Sequence, residues 1–178
     1  YTFPSVRTTE GTVVKAVLLA GGLGTRLREE TEYRPKPMVE VGGRPILWHI
    51  MKGFAHHGID EFVVCTGYRG EVIKDFFLNY EGRTHDFTVR RGQPAEVTYH
   101  SAHEEDGWQV TVADTGQTTM TGGRVNRIRD HIGDERFMVT YGDGLADVDI
   151  PALLAFHHAH GRLATVTTIR PLSRFGVM

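Results

Sequence analysis

The sequence predicts an α/β fold built on a doubly wound, mostly parallel sheet with a small antiparallel insertion. Short apolar runs alternate along the chain with amphipathic stretches, which is the pattern of repeated β-α units. The first apolar run leads directly into a glycine-rich turn, as at many strand-to-helix junctions. Apolar residues make up 40% and charged residues 24% of the 178 residues, which suits a globular domain with its own core.

The predicted elements follow the hydrophobic periodicity of the chain. Strands are predicted at 13–19, 62–65, 137–141 and 163–169. Helices are predicted from Pro45 to a stop near Gly58, at about 71–80, at 122–132 and at 151–160. Asp147 and Asp149 are interpreted as turn or cap residues before the helix at 151–160.

The domain prediction places an N-terminal extension at 1–12 and one domain at 13–178. Within that domain, three short runs with polar alternation, at 87–89, 97–99 and 110–112, predict antiparallel strands in an insertion at 82–112. The chain stops just after a predicted strand, with no capping or tail-like composition.

Charge, hydropathy and cysteine content exclude several classes of function. The formal net charge of −2 provides no overall field that would attract nucleic acid. No apolar run approaches the roughly 20 residues of a membrane span. The one cysteine, Cys65, excludes an intrachain disulfide framework and favours a reducing compartment. We predict a cytoplasmic protein with neither a nucleic-acid nor a membrane partner.

The glycine-rich stretch from Leu18 to Leu27 predicts an anion-binding loop. Glycines let a ligand approach backbone N–H groups closely, and Arg26 can grip phosphate oxygens with two parallel hydrogen bonds. A dinucleotide-binding fingerprint would need a glycine where Leu27 stands, and a P-loop would end in Gly-Lys-Ser/Thr. The loop is therefore predicted to hold a nucleotide polyphosphate by another pattern, with a plain tight turn as the alternative.

Two charged residues outside the loop are candidates for the same site. Lys36 lies between Pro35 and Pro37, whose rings restrict the backbone, so its ammonium is predicted to place a fixed charge on a phosphate. Asp143 follows a predicted strand between two glycines, at the position where open α/β sheets bind ligands, and suits a Mg²⁺ ligand. The alternatives are a solvated loop lysine and an ordinary turn aspartate.

Other polar residues give weaker indications. The segment Gly122-Gly123-Arg124 could supply backbone donors and a further cation, although an ordinary helix start is the alternative. The ten histidines form no convincing set of metal ligands. Cys65 is predicted to be a core residue, and no nucleophile with a partner base is indicated. The inventory is one of cations, backbone donors and a carboxylate.

The motifs resemble those of sugar-1-phosphate nucleotidylyltransferases, from Val14 to the end of the chain. The glycine loop within residues 15–27 and the Arg-Pro-Lys-Pro segment at 34–40 carry the family resemblance. Segments at 28–31, 46–51, 114–116, 120–124, 140–144, 146–147 and 174–176 agree in order and spacing. The Met-Thr-Gly-Gly-Arg segment at 120–124 favours cytidylyl transfer within the family. The resemblance implies a Rossmann-like sheet of the nucleotide-diphospho-sugar transferase type.

The resemblance implies that the domain is truncated at its C-terminus, because family members continue past Met178. It also implies a reaction, a cofactor and a set of residues. The reaction is CTP plus glucose 1-phosphate giving CDP-glucose and pyrophosphate, with Mg²⁺, in a homo-oligomer that serves dideoxysugar and O-antigen-type lipopolysaccharide synthesis. Uridylyl or thymidylyl transfer, or nucleotide binding without turnover, are the alternatives. Catalytic roles fall to Arg26 and Lys36, and metal binding to Asp143. The implied nucleotide-binding residues are Leu19, Ala20, Gly21, Gly22, Leu23, Gly24, Thr25, Arg26, Lys36, Thr119, Arg124 and Gly142.

Overall fold

The computed structural model describes residues 14–22, 33–100, 105 and 107–169. The chain divides into two units, Tyr1–Ala146 and Asp147–Met178. Among the described residues, no helix has both the length and the hydrophobicity needed to cross a bilayer.

Eight strands and six α-helices are described, together with a short 3₁₀ helix at Lys36–Met38. The strands are β1 (Lys15–Leu19), β2 (Glu40–Val41), β3 (Arg44–Pro45), β4 (Glu61–Thr66), β5 (Asp86–Arg90), β6 (Glu96–His100), β7 (Gln109–Asp114) and β8 (Phe137–Tyr141). The helices are α1 (Ile46–His56), α2 (Gly70–Leu78), α3 (Tyr80–Thr84), α4 (Thr121–Arg127), α5 (Arg129–Ile132) and α6 (Ile150–His160).

The first unit is built on a four-stranded parallel sheet in the order β7-β4-β1-β8. At the centre of the sheet, Val17 of β1 lies in register with Val63 of β4 and Val139 of β8. The chain adds β4 and then β7 on one side of β1 before β8 pairs on the other side. This reversal of strand order is the mark of a doubly wound sheet and confirms the predicted fold class.

The core lies against the two inner strands. One cluster joins alternate residues of β1 and β4 to two isoleucines at the α4–α5 junction and at the end of α5; its members are Val17, Leu19, Val63, Cys65, Ile128 and Ile132. The intervening residues Leu18 and Val64 are also fully buried. Because successive side chains of a strand point to opposite faces, β1 and β4 are covered on both faces.

The prediction of three antiparallel strands in the insertion is wrong for the third. β5 and β6 form an antiparallel hairpin, but β7 pairs parallel with β4 in the central sheet. β7 is only half-buried, so its side chains alternate between apolar and polar types. This alternation also occurs in antiparallel strands with one solvated face, and periodicity therefore could not identify the strand's partner.

Two further differences concern helix ends and the second unit. The helix predicted at 122–132 is divided at the buried Ile128 into α4 and α5. In the second unit, α6 occupies the predicted residues, and Asp149 caps it by accepting a hydrogen bond from the Ala152 amide (2.9 Å). The strand predicted at 163–169 is absent. Its apolar residues suggested a strand, but no described strand takes up its backbone hydrogen bonds.

Candidate active site

The carboxyl ends of the four parallel strands meet at one edge of the sheet. β1 is followed there by Ala20 and Gly21, β4 by Gly67, and β8 by Gly142 and Asp143. Since β1 lies between β4 and β8, the first glycines of the loop lie at the point where the strand order reverses. Open α/β sheets bind their ligands in the crevice at this point.

Lys36 and Asp143, which are 107 residues apart in the sequence, meet at this edge. The Lys36 ammonium donates a hydrogen bond of 2.8 Å to Oδ2 of Asp143. Both side chains are about one-third exposed (34%), so a ligand can reach the pair. Lys36 opens the 3₁₀ helix, which is anchored by the buried Pro37 and Met38. The predicted phosphate-binding cation and the predicted metal ligand therefore occupy one site.

Gly142 allows three segments to converge at that site. Its amide donates a hydrogen bond of 3.0 Å to the carbonyl of Leu19, which continues the pairing of β8 with β1. A Cβ atom at position 142 would lie 3.3 Å from Cβ of Ala20 and 3.4 Å from Cγ of Pro37. Because glycine has no side chain, the end of β1 and the 3₁₀ helix can both lie close to Asp143.

Arg124, on α4, supports the start of the glycine loop through hydrogen bonds from its side chain. Its guanidinium donates to the carbonyl oxygens of Gly21 (2.8 Å) and Thr66 (2.8 Å) and to the hydroxyl of Thr115 (2.7 Å). The residue is only 5% exposed. A Cβ atom on Gly21 would lie 2.1 Å from Nη1 of Arg124, so glycine at this position accommodates the arginine.

Two buried threonines complete this support. The Thr115 hydroxyl and amide both donate to the Thr66 carbonyl, at 2.6 and 3.0 Å. The Thr66 hydroxyl in turn donates to the carbonyl of Ala113 at 3.0 Å. These bonds join the ends of β4 and β7 immediately beneath the guanidinium, so Arg124 connects three strand ends to one another.

A concavity of about 460 Å³ opens beside the Arg124 network, between the segments that follow β4 and β7. Its lining includes Tyr68, Asp114 and Gln117. A larger concavity of about 540 Å³ lies along β7, α2 and α3 and is lined by residues such as Phe77 and Trp108. None of the predicted site residues lines either concavity. The lining of the smaller one includes Gly67, where a Cβ atom would lie 2.8 Å from the Gly21 carbonyl oxygen, so it is the better candidate for a ligand of this site.

A family model described as nucleotidyl transferase matches residues 15–178, a span that contains all of this geometry. The chain belongs to the nucleotidyl transferase family. The resemblance seen in the sequence motifs is confirmed by this match.

Curated relatives of this nucleotidyl transferase narrow the resemblance. The chain is 52% identical over 166 residues to "Glucose-1-phosphate cytidylyltransferase" of Salmonella typhimurium, covering 93% of this chain and 64% of the relative. It is 44% identical to "Probable glucose-1-phosphate cytidylyltransferase" of Bacillus subtilis, with the same shares covered. The chain therefore spans a little under two thirds of the length of these relatives.

Solved structures of the same fold class agree with the architecture. The structure of UDP-glucose pyrophosphorylase complexed with UDP-glucose matches with a TM-score of 0.60 and 18% identity, covering 84% of this chain and 54% of that one. HddC from Yersinia pseudotuberculosis matches with a TM-score of 0.59 and 23% identity, covering 81% of this chain and 54% of that one. At these identities the likeness supports the Rossmann-like fold alone.

The structure describes most, but not all, of the residues predicted for this nucleotidyl transferase site. Leu19, Ala20 and Gly21 are buried at the end of β1, and Gly22 is exposed beyond them. Thr119 is half-buried in the turn before α4. The remaining loop residues, Leu23, Gly24, Thr25 and Arg26, lie outside the described residues. Their roles stay predictions, as does the direct contact of Thr119 and Arg124 with nucleotide.

Electrostatics in the site match a binding role rather than a nucleophilic one. Burial lowers the pKa of the Arg124 guanidinium, whose described hydrogen-bond partners are all neutral oxygen atoms. Arginine nevertheless remains charged in proteins. Burial raises the pKa of the Cys65 thiol to about 11. The thiol is fully buried, as expected for a core residue, and is inert at neutral pH.

Sequence reasoning missed Thr66 and Gly67 as parts of the site. A Cβ atom on Gly67 would lie 2.7 Å from Nη1 of Arg124 and 2.8 Å from the Gly21 carbonyl oxygen. The signal was present, because a Thr-Gly pair follows a buried strand whose carboxyl end belongs to the same sheet edge. The sequence did not show that β7 is the strand that pairs with β4.

Proposed function

We propose that the protein transfers a cytidylyl group from CTP to glucose 1-phosphate and produces CDP-glucose and pyrophosphate. The observation that carries the reaction type is the pairing of Lys36 with Asp143 beside the end of β1, where the strand order reverses. The choice of CTP and glucose 1-phosphate is supported by the names of the two relatives, at 52% and 44% identity. Uridylyl and thymidylyl transfer are less favoured.

The reaction needs no covalent enzyme intermediate. A phosphate oxygen of glucose 1-phosphate forms a bond to the α-phosphorus of CTP as the bond from that phosphorus to the bridging oxygen breaks. The electron pair leaves with pyrophosphate. Such a transfer depends on alignment and on neutralisation of charge, which cations and backbone donors can provide. The described site contains these groups and no activated nucleophile.

Each residue then has a defined task. Lys36 leaves Asp143 for the α-phosphate, where its charge balances the charge that develops during transfer. The N–H groups of the glycine loop bind the phosphate chain, and Arg124 fixes the loop through the carbonyl of Gly21. Arg26 would supply a further cation from the part of the loop that the structure does not describe. The concavity beside Gly67 would receive the nucleoside.

The donor set fits a Mg²⁺ ion that is shared with the nucleotide. Among the described residues, no group of three or more His, Cys, Asp or Glu side chains could hold a metal ion. Asp143 offers one accessible carboxylate, and Mg²⁺ commonly takes one or two carboxylates together with phosphate oxygens and water. Bound there, the ion would neutralise phosphate charge and orient the phosphates. The cofactor, the cytoplasmic location, the homo-oligomer and the role in lipopolysaccharide synthesis stay predictions.

The proposal is tested by measuring pyrophosphate release with glucose 1-phosphate and each nucleoside triphosphate in turn. We expect CTP to give the highest kcat/KM and the reaction to stop when Mg²⁺ is removed by chelation. Calorimetric titration with CTP on the same sample separates binding from turnover. Equal or faster turnover with UTP or dTTP contradicts the nucleotide assignment. Binding of CTP without pyrophosphate release would instead favour a nucleotide-binding module.

A further inference from the structure

The turn that follows β7 forms one wall of the smaller concavity. Asp114, Gly116 and Gln117 line the concavity from this turn, and Gly67 and Tyr68 line it from the segment after β4. The turn is tight, because Oδ1 of Asp114 accepts a hydrogen bond of 2.9 Å from the Gly116 amide and Gly116 has a φ of +87°. The shape of this wall therefore depends on the contacts that hold the turn.

Arg127, on α4, holds the backbone of this turn. Its Nη1 atom donates a hydrogen bond of 2.7 Å to the carbonyl oxygen of Thr115. A Cβ atom on Gly116 would overlap that Nη1 atom, so the guanidinium packs directly against the turn. Hydrogen bonds from a charged guanidinium are stronger than those between neutral groups. Arg127 does not itself line the concavity, and it acts on this wall through the backbone of the turn.

Arg124 and Arg127 bind the same threonine at two different atoms. They lie one helical turn apart on α4, and Arg124 donates to the Thr115 hydroxyl at 2.7 Å. Arg124 also donates to the Gly21 carbonyl, so it supports the glycine loop as well. Among the described residues, the guanidinium of Arg127 bonds only to the turn. Loss of Arg124 should therefore affect both the loop and the turn, whereas loss of Arg127 should affect the turn alone.

We propose that Arg127 is a positioning residue for the nucleoside of the substrate, a role that rests on the proposed function. It fixes the turn after β7 in the shape that receives the nucleoside, and it acts through Thr115 without contact to the ligand. A site that is ordered before binding gives higher affinity, because less ordering accompanies binding. Loss of Arg127 should weaken binding of the nucleoside and leave binding of the phosphates at the glycine loop unchanged.

Calorimetric titration with CTP and with inorganic tripolyphosphate, both in the presence of Mg²⁺, provides the first test. In Arg127→Met the Kd for CTP should rise about 3- to 10-fold, as expected for one lost hydrogen bond, and the Kd for tripolyphosphate should not change. Arg124→Ala should weaken binding of both ligands. Arg129→Met, at an exposed position on α5, is the matched control and should weaken neither. The titrations do not require turnover.

Kinetics and a conservative variant provide the second test. In Arg127→Met the KM for CTP should rise and kcat should stay within about twofold of the unmodified value, because the Lys36–Asp143 pair is not changed. Arg127→Lys should restore most of the affinity for CTP, since one ammonium donor is enough for a single carbonyl oxygen. Urea unfolding checks that each variant is folded at the assay temperature.

Three results would overturn the role of Arg127 while CTP still binds to the unmodified chain. They are unchanged CTP affinity in Arg127→Met, an equal loss of affinity for tripolyphosphate, and a lysine variant that binds CTP no better than the methionine variant. If the unmodified chain does not bind CTP at all, the proposed function fails, and the role of Arg127 fails with it.

Discussion

The Arg124 network and the Lys36–Asp143 pair lie at the same sheet edge but are held in different ways. Arg124 is almost fully buried, and its guanidinium is engaged by neutral oxygen atoms at three strand ends. Lys36 and Asp143 are one-third exposed and engage each other. The first arrangement is complete without a ligand. The second holds two opposite charges that the proposed phosphate and metal ligands would separate.

This difference indicates that the Arg124 network has a structural role, whereas the Lys36–Asp143 pair is available for the proposed chemistry. Exposed ion pairs contribute about 0–1 kcal/mol to stability, so parting Lys36 from Asp143 costs little. A buried group that loses its hydrogen-bond partner costs about 1–3 kcal/mol. Variants of the pair should therefore affect turnover, whereas variants of the Arg124 network should affect the fold of the loop.

The largest effect is expected from Lys36→Met. Removing one preorganised cation or donor from a charged transition state typically lowers kcat by about 10²- to 10³-fold. The free energy of unfolding in urea should change by less than about 1 kcal/mol, because the lost ion pair is partly exposed to solvent. Lys74→Met, on α2, is the control and should leave kcat unchanged. A Lys36→Met variant with near-normal kcat would remove the role assigned to this lysine.

Arg124→Ala should instead destabilise the protein. The Gly21 carbonyl loses its described side-chain donor, and we expect the free energy of unfolding to fall by about 1–3 kcal/mol. Nucleotide affinity should fall as well, because the loop loses its support. Arg124→Lys should recover only part of the loss, since one ammonium cannot reproduce the planar fork. Full recovery by lysine would mean that charge alone matters.

Gly21→Ala tests the close contact between the glycine loop and the Arg124 guanidinium. Its Cβ atom would overlap the guanidinium, and such overpacking typically costs about 1–3 kcal/mol. When combined with Arg124→Ala, the methyl group has space, so the double variant should be more stable than the sum of the single effects predicts. Strict additivity in urea unfolding would contradict the contact.

The smallest effect concerns Cys65, which lies beneath the same loop in the core. Its pKa is about 11 in the folded protein against an ordinary value of 9.0. Between these values the unfolded chain loses the proton and the folded chain keeps it, so stability should fall as the pH rises. The slope is at most about 1.4 kcal/mol per pH unit. Urea unfolding at several pH values should show a steeper decline in the unmodified chain than in the Cys65→Ala control, in which the raised pKa of Tyr80 still contributes.

The sequence was sufficient for the parts of the fold and site that depend on local chemistry. The apolar run of β1, the prolines around Lys36 and the glycines around Asp143 each have a local physical meaning. That the glycine loop and Asp143 lie at one edge of the sheet followed from one rule, because parallel strands have their carboxyl ends at the same edge. The position of β7 did not follow, because a half-buried edge strand has the same alternation as an antiparallel one.

The role of Arg124 in supporting the loop could not be inferred from the sequence either. The glycine-rich motif suggested that Gly21 leaves space for a ligand. In the structure, that space is occupied by a guanidinium from a helix more than 100 residues away in the chain. Steric requirements at a glycine depend on which segment packs against it, and long-range packing has no signature within the motif.

The central position of β1 also determines how the site fluctuates. β1 has a neighbouring strand on each side, and Ala16, Val17 and Leu18 are fully buried. We therefore expect its amide hydrogens to exchange with solvent only when the whole unit unfolds, whereas the exposed hairpin can open locally. The first glycines of the loop follow the strand that we expect to exchange most slowly among the described residues, so the proposed nucleotide site begins at a rigid segment.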